Sequence, residues 1–318
     1  MYYLGIDLGG TNIACGIVDE NYNVVAKASL KTNAPRSAEE IVADMAKASM
    51  MAIENANIKK EDIKFGGVGS PGAVNPNTGV VATANNLKFS NVPLKEMIEQ
   101  KLGIPFYIEN DANAAAYGEM LAGAGKSTKN FVAVTLGTGV GGGVIIDGKI
   151  FSGFNHSGGE LGHTVIVRDG VQCSCGRKGC WEAYASATAL IRQTKEEMNK
   201  NKDSLMWEIA GGSLDNVNGL TAFDAMRKND ESGKKVVNEY IDYVACGIIN
   251  MINIFQPEVL CIGGGISKEG DTLIKPIVKI LLQEHYTKNI GEQTLVKAAE
   301  LGNDAGIIGA AMLGKLYD

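Results

Sequence analysis

Apolar runs broken by short glycine-rich or polar turns organise the chain from its first residues. Tyr2 to Leu8 predicts a strand, Gly9-Gly10-Thr11-Asn12 a turn, and Ile13 to Val18 the returning strand of a hairpin. The polar stretch Asp19–Asn23 leads into a third strand. Residues 39–56 carry a helical pattern, with Ser37 placed to cap it and Glu40 at capping-box spacing. Ile63 to Gly69 reads as a buried strand and Gly103 to Glu109 as another. Asn110 or Asp111 then starts an alanine-rich helix that ends near Gly123.

The pattern then returns. Phe131 to Leu136 is apolar, Gly137 to Gly143 is glycine-rich, and Val144 to Lys149 closes a second hairpin. Leu8-Gly9 falls on Leu136-Gly137, and Ile17 and Asp19 fall on Ile145 and Asp147, a shift of 128 residues. A period of that size repeats a whole domain, not a solenoid unit. Two similar α/β domains are expected, with the natural ligand site in the cleft between them. Further on, residues 192–240 are highly charged and read as helical with a break near 211–213. Glu258 to Ile262 is strand-like ahead of Gly263-Gly264-Gly265, and Asp304 to Leu316 forms a last helix.

Composition narrows the function classes. Among 318 residues there are 40 Gly against 7 Pro. The glycines cluster beside apolar runs, as ligand loops lined by backbone require. A net charge of -6 argues against a nucleic-acid surface, because phosphate backbones are held by Lys and Arg. The first residues are a strand without the basic start and apolar core of a signal peptide, and no apolar run spans a bilayer, so a cytoplasmic protein with no membrane partner is expected. Thiols stay reduced there, and the six cysteines are read as core residues or metal ligands before disulfides.

Two familiar patterns fail on context. Gly137–Gly142 matches G-x-G-x-x-G, but a strand-like segment follows instead of a helix. Gly125-Lys126-Ser127 resembles the end of a P-loop but follows a helix, with Met120 at the earlier glycine position. The loops at 9–12 and 137–139 read better as paired phosphate clamps. Glycine lets backbone N–H groups approach phosphate oxygens, Thr11, Asn12 and Thr138 add side-chain donors, and Asp7 is placed to hold magnesium. Either loop alone is equally a hairpin turn that needs glycine; their repetition favours phosphate. At Glu109-Asn110-Asp111 a strand meets a helix. There Asn110 or Asp111 serves as an ordinary N-cap, or the carboxylate accepts a proton from an attacking hydroxyl, since strand C-terminal ends are where α/β sheets bind ligands. His163 with Cys173, Cys175 and Cys180 completes a closed tetrahedral zinc set, structural in kind; the alternative, free thiols on a polar loop, would oxidise readily.

Together these pieces resemble the ROK family of sugar kinases, specifically its bacterial glucokinases. The motifs are Asp7-Leu-Gly-Gly-Thr-Asn12, Gly69-Ser-Pro-Gly72, Glu109-Asn-Asp-Ala-Asn113, Leu136-Gly-Thr-Gly139, Gly158-Gly-Glu-Leu-Gly-His163, Cys173-x-Cys-Gly-x-x-Gly-Cys-x-Glu182 and Gly263-Gly-Gly-Ile-Ser267. The resemblance implies a duplicated actin-like, ribonuclease H-like ATPase fold, with a small domain from 1–115 plus 303–318 and a large one from 116–302. It implies transfer of phosphate from ATP to the 6-hydroxyl of glucose, with Asp111 as general base. Gly72, Asn110, Glu160, His163 and Glu182 become sugar ligands, His163 serving zinc as well. Asp7, Gly9, Gly10, Thr11, Asn12, Gly137, Thr138 and Gly139 become Mg-ATP phosphate contacts, and Gly264 and Gly265 approach the adenosine. Family members dimerise, some further to tetramers. Another hexose (mannose, fructose, allose, N-acetylmannosamine) is the alternative substrate. Two alternatives of another class are disfavoured: a sugar-responsive repressor, because the first strand starts at residue 2 and the net charge is acidic, and a non-catalytic sugar-sensing protein, because the base and both loops are present.

Overall fold

The computed structural model describes residues 1–317. Residue 318, the last of the expected segment 303–318, lies outside the described residues. The chain forms two compact units. The first contains Met1–Ala133, Gly142–Gly159 and the residues from Ala299 on; the second contains Val134–Gly141 and Glu160–Ala298.

In chain order the first stretch gives β1 (Tyr2–Leu8), β2 (Asn12–Asp19), β3 (Val24–Lys31), α1 (Ala38–Asn55) and β4 (Ile63–Ser70). It continues with β5 (Ala73–Asn75), β6 (Val80–Ala84), β7 (Phe89–Val92), α2 (Leu94–Leu102), β8 (Phe106–Asn110) and α3 (Asp111–Ala122). Then come β9 (Phe131–Leu136), β10 (Val140–Ile146), β11 (Lys149–Ile150), α4 (Glu182–Ala185), α5 (Ala187–Lys200), α6 (Leu205–Ile209), α7 (Thr221–Arg227) and α8 (Glu231–Phe255). The chain closes with β12 (Val259–Gly263), α9 (Asp271–Glu284), β13 (Leu295–Ala298), α10 (Asp304–Met312) and α11 (Gly314–Tyr317). Among the described residues no helix is long and apolar enough to cross a membrane.

The repeat seen in the sequence is a repeat of topology. One five-stranded sheet runs β3-β2-β1-β4-β8 and the other β11-β10-β9-β12-β13. In the first, β1 and β2 pair antiparallel while β1–β4 and β4–β8 run parallel; in the second, β12–β13 is parallel. A third, small sheet, β5-β6-β7, was not expected from the sequence.

In the first unit the sheet is buried on one side by α1, whose start is the capping box of Ser37 and Glu40. The other side receives α10, an Ala- and Gly-rich helix buried at every position from Ala305 to Met312. A helix apolar all round must be enclosed on all sides, and glycines let backbone meet backbone here. A Cβ on Gly5 of β1 would lie 2.0 Å from the Ile307 carbonyl oxygen, and one on Gly309 would lie 1.7 Å from that of Ala114 in α3. This packing keeps α3 whole within the first unit, so the units do not divide at residue 115 as expected. Segment 142–159 joins the same unit, with Gly143 seated against Ala112 and Ala116 of α3.

Two expected elements change shape. The strand expected from Gly103 begins only at Phe106, because Gly103 adopts a left-handed conformation (φ 65°) that ends α2. The last helix, expected to run from Asp304 to Leu316, is interrupted after Met312, where Gly314 packs on the Phe65 ring. In the second unit the charged stretch is helical and breaks where expected, with Gly211 and Gly212 both at positive φ. Trp181, fully buried, sits against Gly247 of α8 and donates its indole N–H to the Tyr243 carbonyl at 2.8 Å.

Candidate active site

In the first unit, β1 ends at Asp7 and the chain turns through Gly9–Asn12. The Gly9 N–H closes this turn on the Asn12 carbonyl at 2.9 Å, and the Thr32 hydroxyl grips the Gly9 carbonyl at 2.6 Å. Gly9 therefore shapes the loop, while Thr11 and Asn12 are exposed at its tip. Lys31 reaches across from β3 to hold the Asn12 side chain at 2.9 Å. Asp7 packs directly on Gly306 of α10, where a Cβ would come within 2.9 Å of its carboxyl carbon. Burial, reinforced by the charge of Asp111, pushes the Asp7 carboxyl up to about 6. The structure thus brings Asp7 and Asp111 into one electrostatic neighbourhood.

Asp111 opens α3. Asn110 is the N-cap: its Oδ1 accepts the N–H groups of Ala112 at 2.9 Å and Asn113 at 3.2 Å. Its Nδ2 donates to the Gly72 carbonyl at 3.0 Å. Gly72 has φ 92° and lies so close to Thr83 that a Cβ would meet that carbonyl oxygen at 1.9 Å. Gly72, Asn110 and Asp111 are therefore one connected patch. Of the two readings left open at this turn, the cap is made by Asn110, and the Asp111 carboxylate at the helix start also accepts the Ala112 N–H at 2.9 Å.

In the second unit, Gly137–Gly139 repeats the loop in tighter form, the Gly137 N–H bonding the Gly139 carbonyl at 3.0 Å. The start of α5 braces it, since Ala187 N–H donates to the Gly137 carbonyl at 2.8 Å and the Thr188 hydroxyl to the Thr138 carbonyl at 2.8 Å. Gly264 (φ 87°) presses on the Leu136 backbone, at a distance no side chain could occupy, and so brings the Gly263–Gly265 loop beside the second glycine loop.

Glu160 and His163 bracket a single 3-10 turn, with Glu160 exposed. Glu182, at the start of α4, is the hub of this region. Its Oε2 accepts the Val140 N–H at 3.1 Å, and its Oε1 accepts the Ser174 hydroxyl at 3.1 Å. A cavity of about 510 Å³ in this unit is lined by Thr138, Gly139, Cys173, Ser174, Glu182 and Arg192, among others. Ser174, Thr188 and Tyr317 were not singled out in the sequence; Thr188 and Tyr317 act through partners 50 and 208 residues away, which spacing does not reveal.

His163, Cys173, Cys175 and Cys180 converge, each offering one ligand atom, with all four atoms within 4.8 Å of one another. The His163 Nδ1 lies 3.7 Å from the Cys173 sulfur, and the Cys175 and Cys180 sulfurs are 3.6 Å apart. A backbone hydrogen bond at Arg177 lowers the Cys175 thiol, whereas burial pushes Cys180 up to about 12. Three sulfurs and one imidazole at this separation fit a four-coordinate metal with no open position. Gly176 (φ 91°) and Gly179 (φ 81°) make the tight loop that gathers them.

The family model of the ROK family matches residues 3–316. The chain belongs to the ROK family. Its relatives include the glucokinase of Streptomyces coelicolor, 37% identical over 317 residues that cover 99% of this chain and 98% of that one. Among solved structures it resembles a ROK family glucokinase from Streptomyces griseus in complex with glucose and AMPPNP. That match has a TM-score of 0.81 at 35% identity, covering 98% of this chain and 99% of the other. The xylose repressor of Bacillus spizizenii is more distant, 28% identical over 98% of this chain and 76% of its own length. ROK membership carries the duplicated actin-like ATPase fold with it, in agreement with the two matching sheet orders.

Proposed function

We propose that this ROK protein is an ATP-dependent glucokinase that phosphorylates the 6-hydroxyl of glucose. The observation that carries the reading is full-length similarity to glucokinases, joined to a carboxylate at a capped strand–helix turn and two glycine loops. Phosphoryl transfer needs positioning, charge neutralisation and an oriented nucleophile, with little covalent work for the protein. Asp111 accepts the proton of the attacking hydroxyl. Gly10, Thr11, Asn12, Thr138 and Gly139 hold the ATP phosphates on loops shaped by Gly9 and Gly137, and Gly264 and Gly265 approach the adenosine. Asp7 holds magnesium, which when bound neutralises charge on the phosphoryl oxygens.

The sugar is gripped by polar groups that reject substrates lacking matching hydroxyls. Asn110 uses Oδ1 for capping and one N–H for Gly72, so its other N–H is what it offers a hydroxyl. Gly72, Glu160, His163 and Glu182 complete the set. His163, Cys173, Cys175 and Cys180 hold a structural zinc, which when bound ties together the segments carrying Glu160 and Glu182. The working form is a cytoplasmic homodimer or homotetramer without nucleic-acid or membrane partners.

A coupled ADP-release assay over a panel of hexoses tests the proposal. Glucose is expected to turn over best, and 6-deoxyglucose to bind without turnover. Release of ADP with fructose, mannose, allose or N-acetylmannosamine but not glucose would replace the substrate, and none with any hexose would replace the activity.

A further inference from the structure

We infer that Tyr317 and Glu109 form a positioning pair that fixes Asp111 for proton transfer; this rests on the reading of Asp111 as the general base. Glu109 is the penultimate residue of β8 and only 1% exposed. A buried carboxylate is tolerated when donors surround it, and this one has three. Its Oε1 accepts the Asn110 backbone N–H at 2.8 Å and the Asn113 side-chain N–H at 3.0 Å. Its Oε2 accepts the Tyr317 hydroxyl.

The two donors on Oε1 bracket Asp111, one residue before it and two after. One oxygen atom therefore clamps the turn on which the base is mounted. The terminal torsion of glutamate is soft and roughly two-fold, so bonds to one oxygen leave the carboxylate free to rotate. Tyr317 removes that freedom by holding the other oxygen. Burial, with the adjoining Glu109 charge, raises the Tyr317 hydroxyl, which keeps it a donor across any working pH. Tyr317 arrives from α11, which packs on β4 and β8, and it reaches Asp111 only through Glu109. Its role is positioning, not catalysis.

The test compares full-length Tyr317→Phe, Glu109→Gln and Asp111→Asn with the parent by kcat, both KM values, melting temperature and pH–rate profile. Tyr317→Phe keeps the ring and loses only the hydroxyl. Because a displacement near 1 Å costs roughly 10²-fold in rate, a loosened carboxylate is expected to lower kcat about fivefold to twentyfold. KM for ATP should stay within about twofold, the mark of an interaction that matters in the transition state. A kcat within about twofold of the parent, with turnover lost in Asp111→Asn, overturns the pair while leaving the base assignment intact. Normal turnover in Asp111→Asn removes the base assignment and the pair with it. Should Tyr317→Phe not fold, Glu109→Gln, which keeps one acceptor for Asn110, carries the same expectation and the same overturning result.

Discussion

The Glu182 carboxylate accepts the Val140 N–H at 3.1 Å, 42 residues away in the chain and immediately after the second glycine loop. A residue proposed to hold sugar thus also holds the shape of a loop proposed to hold phosphate. Glu182→Ala should therefore raise KM for glucose and for ATP together. Losing hydrogen bonds to a charged group costs about 1.5–3 kcal/mol, or roughly 10- to 150-fold in affinity. Steady-state kinetics with each substrate varied checks this; an unchanged KM for ATP would mean that the loop keeps its form without Glu182.

Asp111→Asn preserves size and removes the proposed proton acceptor. Turnover should fall by about 10²–10⁴-fold, while glucose binding by calorimetry and the circular dichroism spectrum stay close to those of the parent.

Asp7 titrates at about 6 in the folded protein, against about 3.8 for its ordinary value. Between these values the folded state binds more protons than the unfolded state, so this group lowers stability as pH rises through that window. Asp7→Asn should then melt higher than the parent at pH 7 to 8, with the gain absent near pH 4, while activity is lost. A domain of this size gains about 2–4 °C per kcal/mol. Melting curves without magnesium across pH 4–8 decide it, and a pH-independent difference would contradict the raised titration.

Purified, reduced protein should contain about one zinc per chain by elemental analysis, since the four ligands saturate a tetrahedral site. Cys175→Ser should lose metal, melt lower and bind glucose more weakly, with KM for ATP affected much less. A variant with normal metal content or normal glucose kinetics would separate the cluster from the sugar site.

Gly309→Ala tests the α3–α10 packing. The added methyl would stand 1.7 Å from the Ala114 carbonyl oxygen, which cannot rotate away as a side chain could. A loss of about 1–3 kcal/mol is expected, measured by urea unfolding; a neutral substitution would show that the two helices can part without cost.

Much of this was legible in local signals. The β1–β2 hairpin, the Ser37–Glu40 capping box and the break at Gly211–Gly212 each rest on neighbours within a few residues. The shift of 128 residues foretold the matched sheet orders. The small β5-β6-β7 sheet escaped because its strands are only three to five residues long, too short for a period to emerge. The four expected metal ligands could be grouped because three of them lie within eight positions. Glu109 could not be linked to Tyr317, or Glu182 to Val140, because only the folded chain makes them neighbours.

The placement of α10 has a bearing on how the protein is made. The first sheet is complete once the ribosome has passed residue 110, yet the helix that fills its other side emerges some two hundred residues later. Until then the β1 and β4 backbones at Gly5 and Gly67 would lack the helix that meets them at Ile307 and Ala310, leaving a trough on that side of the sheet. Growing chains that stall or are clipped before Asp304 would display that trough permanently. Such fragments would be expected to engage chaperones and proteases more than the full chain does.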